Sequence, residues 1–400
     1  MRILQIVIFP LRGSGSGVYA DQLSAGLIDA GHTVKVLCSD HSRPKKNYPT
    51  EAVLFSNGTN AAFDLDFNFP AFTTHPQSTR CTFGSLTDAQ RRAYHQAFQD
   101  KIERELARFQ PDIVHAHHGW VIGAILADLD VPYLISLHGT EHLGFQRNPD
   151  YQRTAIKGLC GAHRITALTE HDKRLAIDTY AIDPGKIDVV TTGIDTRVFR
   201  PMRVDIHSAL RRYAIDGTNR PVVLYVGKLT AVKGVEVLLK AAELYGAIDE
   251  KPITLIAGDG DLKPSLESFA KVLGLENVHF IGIQDRQTLV ALYNIADVVA
   301  FPSMTDFFPL VALEALACGT PVIASDVGGL RQIVDDQIGR LVPPGDSSAF
   351  AENIVTAIRS QLKTQAGETA VTRMRQNFSL ENMVQHYVRI YESILAQQPV

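Results

Sequence analysis

The sequence predicts a doubly wound α/β fold, written twice. Three observations carry that prediction. Short, β-branched apolar runs alternate with amphipathic stretches along nearly all 400 residues. Most of the runs are continuous rather than alternating in polarity, as parallel strands covered on both faces by helices require. Finally, 400 residues exceed what one hydrophobic core sustains, so two domains are expected.

Taken in order, the first half predicts strands at 2–9, 33–38, 112–116, 133–137, 164–168 and 187–191. The second half predicts strands at 222–226, 253–257, 278–281, 298–302 and 321–324. Between them lie amphipathic segments such as "SGVYADQLSAGLIDAG", closed by Gly31, and "VEVLLKAAELYGA". The domain boundary is expected in "FRPMRVDIHSALRRYAIDGTNRP", where Pro201 and Pro221 bracket a helical patch. That gives domains at 1–200 and 201–375, followed by a terminal helix within 376–400. In "FSLENMVQHYVRIYESIL", Ser379 is an N-cap candidate, and Met383, Tyr387, Ile390 and Ile394 repeat at helical spacing. Residues 57–85, rich in Phe, resist assignment and read as a long ordered loop.

Composition narrows the partners. Net charge is −4, from 39 Lys and Arg against 43 Asp and Glu, so there is no global basic field and no nucleic-acid partner is expected. Cys38, Cys81, Cys160 and Cys318 are isolated, as suits small core residues in a reducing cytosol. No apolar run reaches the length of a membrane span, and "MRILQIVIFPLR" reads as a buried strand rather than a signal peptide. A cytoplasmic location follows, with peripheral contact to the inner membrane face left open by "SRPKK" at 42–46.

Four stretches carry chemistry. "GSGVYA" places Gly15, Gly17 and Ala20 in a G-x-G-x-x-A pattern, and Asp40 ends a strand about 20 residues on. An NAD(P) fingerprint would put the glycines directly after the strand, whereas Pro10–Ser14 intervene here. In "PSMTDFFPLVALEALACGTPVIASDVGGL", Asp306 falls in a loop, a helix starts near Pro309, and Glu314 stands in its second turn. The amides of Phe308, Leu310 and Val311 then form a positive helix end suited to a phosphate or sugar hydroxyl. In "YVGKLTAVKGVEVLLKAA", Lys228 and Lys233 emerge beside another helix start, where two ammonium groups suit a diphosphate. In "YLISLHGTEHLGF", His138 follows a strand and can hydrogen-bond a sugar hydroxyl. His115, His117 and His118 cluster in "HAHHGW", but only His115 and His117 share a strand face and no third ligand joins them, so no metal site is assigned.

Together with "GHTVKVL", "PDIVHAHH", "TTGIDTRVFRP", "AGDGDL" and the terminal "YVRIYESIL", these pieces resemble the retaining, nucleotide-sugar-dependent glycosyltransferases of family 4. The resemblance implies the GT-B fold: two Rossmann-like domains facing a central cleft, the first on the acceptor side and the second on the donor side. The terminal helix would cross back onto the first domain. It implies a hexosyltransferase reaction from a UDP-sugar, or a GDP-sugar, to a hydroxyl of a glycan, lipid or small molecule. No metal or cofactor is implied, the nucleotide sugar being a substrate. His138, Lys233 and Asp306 would be catalytic, with Lys228 and Lys233 on the diphosphate, Asp306 near the sugar and Glu314 on the ribose. Gly258, Ile283 and Phe307, Phe308, Pro309, Leu310 and Val311 would line the donor, which Gly15 and Gly17 would approach by backbone. Glu141 and His117 would meet the acceptor. Asp306 and Lys228 depart from the family's usual Glu and Arg. The rival readings are a sugar-nucleotide epimerase of the same fold, a non-catalytic carbohydrate-binding relative and an NAD(P)-dependent enzyme.

Overall fold

The continuous apolar runs fold as parallel strands in two separate sheets. The computed structural model describes residues 1–59, 62–72, 78, 81–216 and 220–397. Parts of the 57–85 loop (60–61, 73–77 and 79–80) and the last three residues of the terminal segment lie outside the described residues. The chain divides into one unit of Met1–Thr192 with Leu380–Val400, and a second of Gly193–Ser379. The first unit's main segment therefore ends at Thr192, short of the expected boundary at 200, and the chain returns to it at Leu380.

Among the described residues, the first unit holds a seven-stranded parallel sheet in the order β3-β2-β1-β4-β5-β6-β7. Its strands are β1 Arg2–Val7, β2 Thr33–Asp40, β3 Thr50–Leu54, β4 Ile113–His117, β5 Tyr133–Ser136, β6 Arg164–Ala167 and β7 Ile187–Val189. The second unit holds a six-stranded parallel sheet in the order β10-β9-β8-β11-β12-β13. These strands are β8 Val222–Val226, β9 Ile253–Ala257, β10 Val278–Gly282, β11 Val298–Phe301, β12 Val322–Ser325 and β13 Gly339–Val342. Two strands went unpredicted, β3 "TEAVL" and β13 "GRLV". Both lie at a sheet edge and are only half-buried, so neither needs an unbroken apolar run.

The terminal helix Leu380–Leu395 belongs to the first unit. Its stripe of Met383, Tyr387, Ile390 and Ile394 is buried, and it packs on the helix Gly15–Asp29 at Gly26. A β-carbon at Gly26 would stand 2.6 Å from Val384 Cγ2, so a small residue is required there. Polar groups fix the register of this contact. The Tyr387 hydroxyl lies 2.7 Å from Tyr19 Oη, 2.8 Å from Ser136 Oγ and 3.0 Å from Thr166 Oγ1. Beside it, Tyr391 Oη lies 2.8 Å from His115 Nδ1.

The described part of the Phe-rich loop folds back on the same unit. Phe69, Phe72 and Phe83 are buried, with Phe72 packed edge-on to Trp120 at 4.6 Å. Of the four cysteines, Cys38 and Cys318 are buried as expected, but Cys160 is exposed on a helix surface. In the 42–46 stretch, Lys46 pairs with Asp21 at 2.6 Å and Arg43 reaches Glu51 at 3.6 Å, so two of its cations are engaged within the unit. Among the described residues no helix is long and apolar enough to cross a membrane.

Tyr387→Phe tests the polar seam, because it removes one hydroxyl and strips a buried partner from Tyr19 and Ser136. The expected loss is about 1–3 kcal/mol in chemical denaturation of the full chain. An unchanged midpoint would remove the seam from the account of this unit's stability.

Candidate active site

In the second unit, the loops that carry chemistry leave the C-terminal ends of the strands. Strand order reverses between β8 and β11, which is where open α/β sheets bind ligands. The β8 loop supplies Lys228 and Lys233. The β11 loop supplies Asp306 and leads into the helix Leu310–Ala317.

Glycines set how closely these loops approach. A β-carbon at Gly258 would lie 1.8 Å from the Gly227 carbonyl oxygen, so Gly258 serves backbone packing between the β8 and β9 ends. The Tyr225 hydroxyl donates to the Lys228 carbonyl at 2.8 Å and shapes the turn. Gly234 has a φ of +63°, and a β-carbon there would meet the Pro302 carbonyl oxygen at 2.0 Å. The Met304 N–H donates to the Val232 carbonyl at 2.8 Å. The two loops are thus stitched to one another.

Lys233 and Asp306 are ion-paired directly, Nζ to Oδ2. Residues expected to address different parts of a ligand prove to be partners. Lys233 Nζ also lies 5.3 Å over the Phe301 ring. Lys228 is different. Among the described residues its half-buried ammonium has no ion-pair or hydrogen-bond partner. Burial, with the Lys233 charge second, pushes it down to about 8.

The helix Leu310–Ala317 begins where the sequence placed it, with Pro309 as N-cap. The N–H groups of Leu310 and Val311 have no backbone partner among the described residues and form its positive end. The Phe308 ring turns inward, 6.2 Å from Phe378, so this residue offers only its main chain. Phe307 is held through its carbonyl, which accepts from Gly329 N–H at 2.9 Å. Glu314 Oε2 accepts from the Tyr293 hydroxyl at 2.6 Å, and Oε1 carries no hydrogen bond among the described residues. Burial pushes this carboxyl up, while Tyr293 and then Arg286 pull the other way. Ile283, 78% exposed, stands just beyond the end of β10.

The sites expected in the first unit fall at the same edge of their own sheet. Gly15 is exposed with open space around its α-carbon. Gly17 is buried, and a β-carbon there would stand 1.9 Å from the Pro10 carbonyl oxygen. It packs the intervening loop under its helix instead of facing a ligand. His117 is fully buried, with Nε2 2.8 Å from Gln5 Oε1 and Nδ1 3.1 Å from His138 Nε2. Glu141 is fully buried too, and its Oε1 accepts from the His138 N–H at 2.9 Å. Its Oε2 lies 3.1 Å from His118 Nδ1. Burial alone would raise the Glu141 carboxyl, but His118, then His142 and His138, outweigh it and hold it at about 2. His117 and Glu141, expected to meet the acceptor, are thus buried and hydrogen-bonded within the unit, both to His138, which is half-buried. Among the described residues no group of three or more His, Cys, Asp or Glu could hold a metal ion. Asp40 accepts from the His41 N–H at 2.7 Å at the end of β2. Sequence reasoning missed Gln5, Tyr293 and Tyr225; only Gln5, polar inside an apolar strand, carried a signal.

Lys228 gives a stability test with a defined sign. Its folded value of about 8 lies below the unfolded lysine range, so the folded unit resists its charge. The cost is fully present below pH 8 and disappears as pH rises through the unfolded value. Lys228→Met should stabilise the ligand-free protein by about 1–3 kcal/mol at pH 7. It should also abolish the wild-type gain in stability above pH 8, read by denaturation at several pH values.

Known proteins match both units. The model of "Glycosyltransferase Family 4" matches residues 13–198, and that of "Glycosyl transferases group 1" matches 211–374. D-inositol 3-phosphate glycosyltransferase of Mycolicibacterium vanbaalenii is 33% identical over 308 residues, 69% of this chain and 67% of that protein. The Corynebacterium glutamicum protein of the same name is 29% identical over 72% of this chain and 74% of its own length. Among solved structures, sucrose-phosphate synthase from Thermosynechococcus elongatus aligns with a TM-score of 0.78 at 20% identity, covering 100% of both chains. Anabaena HepE in complex with UDP-glucose aligns at 0.74 and 20% identity, over 98% of this chain and 100% of that one. These two share the GT-B fold of paired Rossmann-like domains. With both units matched and a relative 33% identical over two thirds of its length, the chain belongs to glycosyltransferase family 4.

Proposed function

We propose that the protein transfers a sugar from a nucleotide diphosphate sugar, with UDP-glucose the first candidate, to a hydroxyl of an acceptor. The observation that carries this reading is Lys228, a half-buried cation with no partner among the described residues, at the switch point of the second sheet. A diphosphate supplies the missing charge, and the Leu310 and Val311 amides add two donors beside it. HepE, of the same fold, was solved with UDP, with UDP and glucose, and with UDP-glucose, which supports uridine as the base.

The residues divide the work as follows. Lys233 has three donors; one holds Asp306, and the others are available to a phosphate oxygen. Asp306, so oriented, accepts from a sugar hydroxyl. The free Oε1 of Glu314 accepts from a ribose hydroxyl, and exposed Ile283 offers an apolar surface to the base. In the first unit, His138 and Gly15 are the expected residues with a free face. Charge developing on the departing diphosphate is stabilised by Lys228, Lys233 and the helix amides. Because protein cations do this, we propose that the reaction needs no metal. The step we propose is attack on the leaving-group face with retention: the acceptor oxygen bonds to the sugar's anomeric carbon as the bond to the phosphate oxygen breaks, and the departing diphosphate takes the acceptor's proton.

Three outcomes test the reading. In thermal-shift measurements UDP should stabilise the protein, whereas NAD should not; no stabilisation by any nucleoside diphosphate would sink the proposal. UDP affinity should fall about tenfold per pH unit above pH 8, because the neutral lysine must take up a proton to bind. Lys228→Met should flatten that profile. Transfer should persist in excess EDTA, and its loss would remove the metal-free mechanism.

A further inference from the structure

A chain of hydrogen bonds runs through the first unit from a backbone carbonyl to His138, and each link fixes the next. It begins at Ser24 on the helix Gly15–Asp29, whose hydroxyl donates its one hydrogen to the Ala20 carbonyl at 2.7 Å. Across the 2.9 Å contact with Gln5, Ser24 must therefore accept, and the donor is Gln5 Nε2. The amide is then oriented, with Oε1 facing the other way, 2.8 Å from His117 Nε2. A carbonyl oxygen has no proton to give, so His117 Nε2 carries the hydrogen.

A neutral His117 has its lone pair at Nδ1, which lies 3.1 Å from His138 Nε2. His138 must donate there. Once Nε2 is protonated, a neutral His138 leaves Nδ1 bare, and that atom has no hydrogen bond among the described residues. Burial, then repulsion from neighbouring imidazoles, pushes both rings well down; at His138 the Glu141 carboxylate pulls the other way without reversing the direction, so both are neutral at pH 7. Tyr19 packs edge-on to both rings, at 5.9 Å and 5.0 Å, and holds their planes.

We propose that Gln5, Ser24 and His117 are positioning residues that set the tautomer of His138, making His138 Nδ1 an acceptor for a sugar hydroxyl rather than a donor to a carbonyl or phosphate oxygen. Only the identity of the ligand rests on the glycosyltransferase reading; the tautomer does not depend on it. Gln5 and Ser24 touch no ligand and act through His117.

The test is a two-bond nitrogen–proton correlation spectrum of the full chain with labelled histidine, assigned by difference with His138→Gln. The wild type should show pyridine-type nitrogen at His138 Nδ1 and pyrrole-type nitrogen at Nε2. Gln5→Met removes the acceptor that orients His117. Ser24→Ala, the milder change, lets the Gln5 amide turn over. Each should raise the population of His138 protonated at Nδ1 by about tenfold, the scale of one net hydrogen bond. A wild-type proton on Nδ1, or an unchanged tautomer ratio in both variants, overturns the relay. Adding glucose should move the Nδ1 resonance, while inorganic phosphate should not. If glucose leaves Nδ1 unmoved, the ligand half of the proposal fails. If no nucleotide binds at all, the proposed function fails and the relay stands.

Discussion

The ion pair between Lys233 and Asp306 is the interaction on which the second unit's site depends. It joins the loops after β8 and β11, the two strands between which the sheet changes direction. It is reinforced by the Phe301 ring beneath the ammonium and by Gly234 pressed against Pro302. The pair also decides what remains. With Asp306 committed to Lys233, Lys228 faces a second cation and has no carboxylate of its own among the described residues. A site that neutralised both lysines internally would be more stable and would have less reason to take up an anion.

The first unit solves the opposite problem. It buries a row of histidines, a glutamine, two serines, a threonine and three tyrosines at the centre of its sheet and satisfies them largely against one another. Buried polar groups are costly when half-satisfied, and a network of this kind tolerates few arrangements. Histidine is well suited to such a place, because a neutral ring offers one donor and one acceptor and passes directionality along. Where the second unit holds a charge without a partner, the first holds a lone pair in a fixed direction.

Most of the fold was legible in the sequence because central parallel strands must be apolar on both faces. The same rule explains the misses, since β3 and β13 are edge strands with Glu and Arg on half-exposed faces. Strand-end motifs singled out Lys228, Lys233, Asp306, His138 and the helix start at Pro309, and the structure puts all of them just after the C-terminal ends of strands. What motifs did not carry was pairing. Nothing in the spacing of Lys233 and Asp306, 73 residues apart, shows that they are partners. Nor could it show that Gly17 and Gly258 are small because backbone carbonyls lie against them. His117 and Glu141 have the right chemistry for a ligand, but their neighbours consume it. Gln5 was visible as a polar residue in "RILQIV", and only the third dimension gave it a role.

The seam around Tyr387 also orders events in time. Tyr19 and Tyr387 meet across 368 residues, with the whole second unit encoded between the bulk of the first and its last helix. During synthesis the first sheet emerges early, yet the groups on Ser136, Thr166 and His115 that await Tyr387 and Tyr391 stay uncovered until Gly193–Ser379 has been made. The unit translated first is thus the one completed last. Its final closure joins groups far apart in sequence and can form only once the rest of the chain has been made.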